Sequence, residues 1–438
     1  MDHAIWKQIL SEADKRSNSS IAFLQELIAL TPKGELAVQN RVAAALADLG
    51  CKVDRLTYRP EDVPVLHEFA SATAMNSEMR ESIIATFPGS GGGKSMIFFA
   101  HPDAEPVFDT ERWQRDPFAG IIENGRLYGW GVSDDLAGVA GFVEGLAVMV
   151  AAGIKPTGDI LLASTPSKRH ARGVFQVLHA GFRADAAVYM HPAESGFGMR
   201  EIKAASSGML EFRVTVKGLP PDTREPSHTA FTHRAINPLD KAMLLISALN
   251  ALAGIRAKRV HHALLENTVG RSTNILIANL QLGTHNSYNR IASECSFGVS
   301  VSYPPGEPMA QVQAEIINAL EQAQAGDDWL ALHPPRIDWI SGVTGAEVPE
   351  GHPLYRMVSE AVKYVTGEKP LVNPLHTSSD IRVPMIQAGI PTVGLGPLGG
   401  DLTQNGLSDE WVDVADYSRS VKVAAILMAQ WGLQKDTF

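Results

Sequence analysis

The chain has 438 residues, of which 45% are apolar and 20% charged, the make-up of a folded protein of two or three domains and not of a disordered, collagenous or coiled-coil one. Its 38 Lys and Arg against 48 Asp and Glu leave a formal charge of -10, which opposes general binding to nucleic acid or anionic lipid. Only Cys51 and Cys295 occur, too few for a disulfide framework or a thiolate zinc cluster; with no signal-peptide pattern at the start and no run of about 18 apolar residues later, the expectation is a cytoplasmic protein without nucleic-acid or membrane partners.

Residues 4–31 and 36–49 carry apolar side chains near 3.6 spacing and read as helices, stopped by Gly50. Short β-rich runs at 83–87, 96–100, 160–164 and 187–190 then alternate with helical stretches at 136–152 and 174–180. That order implies a largely parallel sheet flanked by helices, an α/β fold whose ligands sit beyond the carboxyl ends of the strands, where His101, Ser164 to Arg169 and His191 fall. From 205 to 341 the order changes to strand 210–216, helix 238–253, strands 273–282 and 296–303, helix 308–325 and strand 336–340. This β-α-β-β-α-β sequence is the split βαβ unit of a ferredoxin-like α+β domain. It reads as an insertion, which leaves 1–204 and 342–438 as the main domain, with a helix at 353–365, a strand at 391–395 and a final helix from about 416.

The glycine-rich run from Pro88 to Ser95 looks like a phosphate loop, but Pro88 stands where a Walker loop needs Gly and a strand follows instead of a helix, so the expectation is a hairpin turn. No Gly-x-Ser-x-Gly elbow occurs. More informative is Phe98-Phe-Ala-His101-Pro-Asp103, in which a strand delivers a His to its end with a carboxylate two residues on, able to orient the imidazole. Alone, such a pair is more often a turn device. It is followed by Trp113-x-x-Asp116-Pro117-Phe118 and by Gly125-Arg-Leu-Tyr-Gly-Trp-Gly-Val-Ser-Asp134-Asp135.

With these residues in line, nearly the whole chain resembles the zinc-dependent family of acetylornithine deacetylase, succinyl-diaminopimelate desuccinylase, aminoacylase and carboxypeptidase G. The resemblance implies a two-zinc catalytic domain, a dimerising lid, and hydrolysis of an amide near a free carboxylate. It makes His101, Asp134 and His191 metal ligands, with Asp134 the bridging carboxylate, Asp103 the residue that orients His101, and the Asp134–Asp135 peptide cis. The first zinc site is thus complete. The second is not: where the family reads Thr-Pro-Asp-Glu-Glu, with a general base followed by a ligand, this chain has Thr165-Pro-Ser-Lys168-Arg169, and the last ligand, a His, is replaced by Asn405 or Gly406. Arg169 would repel a dication and could stand in its place electrostatically.

On the substrate side, His228 with Asn237 nine residues on matches the lid His that reaches across the dimer to the reacting carbonyl, and Asn289 matches a second lid position. Ser378-Ser379-Asp380-Ile381-Arg382 resembles the stretch whose Arg grips a substrate carboxylate; the competing reading pairs Arg382 with Asp380. Three functions fit. The first is an amide hydrolase with one zinc ion, in which Lys168 replaces the family's Glu as base. The second is an inactive relative, with or without metal, that binds an acyl amino acid or peptide or acts as an oligomeric scaffold. The third is an ordinary two-zinc enzyme whose site is completed by His170 or Glu194. All three take a small carboxylate-bearing acyl amino acid or peptide-like ligand and a homodimer through the lid.

Overall fold

A computed structural model of the chain describes residues 3–75, 77–104, 107–193, 195–284, 287–372, 379–400 and 408–434. Glu194, Ser378, Asn405 and Gly406, singled out above, lie outside them.

The first half of the chain and its last hundred residues form a six-stranded sheet in the order 52–58, 80–87, 160–164, 96–100, 186–190, 392–395. The last four run parallel and the first two are antiparallel additions at one edge. Met96–Ala100, Ile160–Ser164 and Ala186–Met190 are buried along their whole length, as strands covered on both faces must be. Their side chains alternate between two cores. Phe98, Ala100, Leu162, Val188 and Met190 face a layer of long helices (His3–Leu30, Glu35–Asp48, Ala137–Ala151, Pro353–Thr366, Val414–Gln430), while Ile97, Phe99, Leu161, Ala163 and Tyr189 face Gly173–His179 and Arg382–Ala388.

The glycine-rich loop corrects one expectation. Strands 80–87 and 96–100 are not a hairpin, because 160–164 pairs with both and separates them. The loop instead crosses the turn before that strand at backbone contact: a Cβ on Gly89 would sit 2.6 Å from the carbonyl carbon of Gly158, and one on Gly93 2.6 Å from the Gly158 nitrogen. Gly89 and Gly93 let the two backbones cross, while Gly91 and Gly92 lie in open space with positive φ.

The inserted segment forms a second sheet with its own core. Its strands lie in the order 274–282, 294–303, 208–217, 336–343, all antiparallel, with Leu210, Phe212, Val214 and Val216 facing helices Pro238–Arg259 and Met309–Ala325. The first helix runs past the expected stop at Ala253, because Gly254 sits in open space and Arg256, fully buried, is held by Glu307 and Glu315 at 2.6–3.0 Å. By length and composition this helix could cross a membrane; its Ala242, Leu245 and Leu249 are packed on the sheet instead. The chain enters and leaves the inserted unit through adjacent strands, Ala205–Ser206 paired with Ala346–Glu347. Unforeseen is a fifth strand: Phe69–Ala70, from the first unit, pairs with Ser341 and Gly342 of the second.

Candidate active site

Parallel strands 96–100 and 186–190 end side by side and deliver His101 and His191 to one edge of the sheet. Asp134 comes from the turn Val132–Leu136 at the start of helix Ala137–Ala151. That helix can approach so closely because residue 138 is glycine: a Cβ there would lie 1.8 Å from the carbonyl oxygen of Met190. The turn is gathered by Glu410, whose carboxylate accepts from the amides of Gly131, Ser133 and Asp134 at 3.0, 2.6 and 3.0 Å. The Asp134–Asp135 peptide is cis. Asp135 is fully buried; one carboxylate oxygen accepts from the His101 amide at 3.3 Å and the other has no partner. Burial first, and the charge of Asp134 with it, pushes Asp135 up to about 7 and Glu410 up to about 8.

The centre of the site is one oxygen. Nε2 of His101 lies 2.9 Å and Nε2 of His191 3.4 Å from Oδ1 of Asp134, and the three potential ligand atoms lie within 4.8 Å of one another. Each ring is oriented from its far side. His101 Nδ1 is 2.9 Å from the Asp103 carbonyl and 3.3 Å from its carboxylate, so its ε-nitrogen can present a lone pair inward, and His191 Nδ1 is 3.0 Å from the Pro192 carbonyl. Burial opposes the charged form of His101, yet hydrogen bonds with Asp103 and Asp134 hold its pKa well above the usual value. Burial likewise disfavours the Asp134 anion, but hydrogen bonds from His101 and His191, with the charge of Lys168, hold its pKa well below the carboxylate range. Two imidazoles and a carboxylate around a position that favours positive charge are a donor set that fits a divalent transition metal.

Lys168 and Arg169 stand where the sequence puts them, in a turn folded onto this cluster. Both oxygens of Asp103 are engaged by the turn, accepting from the Ser167 and Lys168 amides at 2.9 and 2.8 Å, and the Lys168 ammonium donates to Oδ2 of Asp134. This bond stabilises the protonated amine, the form that cannot act as a base. Arg169, His170 and Arg172 all have left-handed backbone, φ 54°, 54° and 56°. Three such non-glycine residues in four positions cost about 1–3 kcal/mol each and mark a turn shaped by its surroundings. One of its anchors is Arg172, which donates to the carbonyls of Pro60 and Val63. His170, held down by burial and by Arg382 and Arg172, lines the same cleft.

That cleft, of about 320 Å³, brings His101, Asp134, His191, Lys168, Arg169 and Arg382 together. It does not include His228 or Asn289, which pair with each other on the lid through a His228 amide to Asn289 carbonyl bond of 2.8 Å. His228 Nδ1 accepts from the Ile291 amide at 3.0 Å, which leaves its Nε2 as a donor. Arg382 reaches the cleft with partners of its own, Asp380 among them. Its guanidinium is buried and bound bidentately by Glu68, at 2.8 and 3.2 Å, and by Asp380 at 3.2 Å, so no fork is open to a substrate carboxylate. Sequence reasoning also missed Lys203, a buried lysine 3.0 Å from His191 Nδ1 and 2.8 Å from the Pro192 carbonyl. A lysine inside the apolar run Ile202 to Ala205 was the signal for it.

Comparison with known proteins agrees with this geometry. The profile of Peptidase family M20/M25/M40 matches residues 97–430. Curated relatives include an N-formyl-4-amino-5-aminomethyl-2-methylpyrimidine deformylase of Halalkalibacterium halodurans, 23% identical over 98% of each chain, and a succinyl-diaminopimelate desuccinylase of Methylocella silvestris, 25% identical over 94% of this chain and 98% of the relative. Among solved structures, the dipeptidase Dug1p of Saccharomyces cerevisiae superposes with a TM-score of 0.71 over 100% of both chains at 13% identity. The metallo-carboxypeptidase Sso-CP2 of Sulfolobus solfataricus gives 0.70 over 95% and 99% at 15% identity. The chain belongs to Peptidase family M20/M25/M40 and is a peptidase-like hydrolase with that family's fold.

Proposed function

We propose that this hydrolase cleaves a small N-acyl or peptide-like amide with a single zinc ion held by His101, Asp134 and His191. One observation carries the reading: two imidazole nitrogens converge on one oxygen of Asp134 while the Lys168 ammonium takes the other. A carboxylate that would bridge two ions here has nitrogen donors for one and a built-in cation in place of the second. When bound, the ion would supply Lewis-acid polarisation of the scissile carbonyl. Asp103 orients His101 and ties the Lys168 turn to it, and Lys168 and Arg169 keep a second dication out by charge. Metal analysis of protein purified without chelator tests this. One ion per chain is expected, lost in His191→Ala, together with an amidase activity that falls on chelation and returns with zinc. Two ions per chain would overturn it, and a chain with neither ion nor hydrolysis is the ligand-binding scaffold instead.

The same reading divides the chain into a catalytic domain, 1–204 and 342–438, and a lid, 205–341, through which two copies pair, in a cytoplasmic enzyme. Support for the pairing comes from the outer strand of the lid sheet, 274–282, which exposes Leu276, Leu280 and Leu282, as the neighbouring helix exposes Met243 and Leu244. An unpaired apolar edge of this kind suits a symmetric partner. Such a dimer would present His228 and Asn289 to the partner's cleft.

A further inference from the structure

We propose that the substrate half lying against Arg382 carries no carboxylate, because Glu68 occupies from within the position that would read one. The inference rests on the amidase reading above and narrows its substrate class to N-acyl amines whose cleft-bound part is neutral and at least partly apolar.

Arg382 is 6% exposed and four of its five N–H donors are used, Nε and one of Nη2 on the two oxygens of Glu68 and those of Nη1 on Asp380 at 3.2 Å and on the Ser379 carbonyl at 3.0 Å, which leaves a single N–H and no fork. One guanidinium thus holds two carboxylates from within the chain, and Arg172 lines the same cleft beside Glu68. A third carboxylate would find no open fork, and displacing Glu68 would leave a buried charge unpaired.

Glu68 is not a loose side chain that a ligand could push aside, since its backbone is pinned on both flanks. Leu66 exchanges two hydrogen bonds of 2.9 Å with the Gln387 amide, the His67 carbonyl accepts from Thr344 at 2.7 Å, Phe69 and Ala70 pair with the lid strand, and the Ser71 amide donates to Ile340 at 2.7 Å. His67 has left-handed backbone, φ 56°, the strained turn that directs Glu68 inward. Across from it, Gly342 leaves room for the Phe69 ring, which a Cβ would approach to 2.4 Å.

Of the other cations of the cleft, Lys168 is engaged by Asp134, and Arg172 and Lys203 by the backbone carbonyls of Pro60, Val63 and Pro192. Between them the walls are Val65, Phe69, Phe175, Tyr189 and Val383, surfaces for an aromatic or aliphatic group.

The test uses a pair that differs only in a carboxylate, N-acetylbenzylamine and N-acetylphenylglycine, titrated into the full-length, metal-loaded protein by calorimetry. The wild type is expected to bind the carboxylate-free member at least about tenfold more tightly, the cost of taking a carboxylate out of water where no fork receives it. Glu68→Gln is expected to bring the two within about threefold, and Asp380→Asn, a second variant should the first fold poorly, to narrow the gap in the same direction. The inference is overturned if N-acetylphenylglycine binds more tightly to the wild type, if neither compound binds at millimolar concentration, or if neither variant narrows the gap between them. Because binding is read without turnover, the predicted ratio in a protein that hydrolyses nothing would uphold this inference and refute the amidase reading.

Discussion

Replacing Lys168 separates the two roles open to it. The side chains of Lys168 and Asp134 are 22% and 21% exposed, so their pair is only modestly screened. A charge-assisted hydrogen bond there is worth about 1.5–3 kcal/mol. In metal-free protein, Lys168→Met forfeits it, and the melting temperature should fall by roughly 3–12 °C at about 2–4 °C per kcal/mol. Zinc affinity should move the other way. Unit charges about 5 Å apart interact by about 3 kcal/mol at an effective dielectric near 20; with part of the Lys168 charge already spent on Asp134, its removal should tighten zinc about ten- to a hundredfold. The deciding variant is Lys168→Arg, which keeps the cation but cannot give up its proton. If Lys168 is a fixed charge, this variant keeps kcat within about tenfold and the same pH profile. A loss of about 10²–10⁴ in kcat with intact zinc content, the usual worth of a general base, would refute the argument and restore the lysine as base.

Glu35, paired with Arg80 at 2.7 Å, is pushed up to about 7 by burial and by Asp103 against the pull of Arg80. The native state therefore holds a proton that the unfolded chain releases near 4.5, so stability is full below that value and is lost as pH rises through 7. Urea midpoints should show Glu35→Gln gaining on the wild type by about 1–2 kcal/mol between pH 5 and pH 8, and a gap that does not change with pH would refute the assignment. Leu280→Lys, on the exposed edge of the lid sheet, should turn a dimer into a monomer by light scattering without lowering zinc content; an unchanged mass would place the interface elsewhere.

What the sequence made legible follows from how buried each feature is. Strands 96–100, 160–164 and 186–190 are continuous apolar runs because both faces are covered, and the site histidines stand out because they end two of them. Strand 52–58 is an exposed edge with charged residues at three of its seven positions, so it carries no period-2 signal. The pairing order was hidden as well, since nothing local says that 160–164 will insert between two strands joined by a glycine-rich loop.

Glu68 shows the same limit at the site. It lies in a stretch with no periodicity, and the strand after it is two residues long, held by the lid and not by its own propensity. Its partner Arg382 sits more than three hundred positions away, in a stretch that resembles a carboxylate grip. A family pattern can say which residue stands at a position, but not whether its hydrogen bonds are already used. An arginine with two carboxylates on it and an arginine with an open fork are spelled alike, and they select opposite substrates. The departures that the sequence did show, Lys168 and Arg169 in place of two acids, are changes of charge at matched positions. The one it hid is a change of partner, and only the tertiary fold, by bringing residues 66–71 across to the lid strand, decides it.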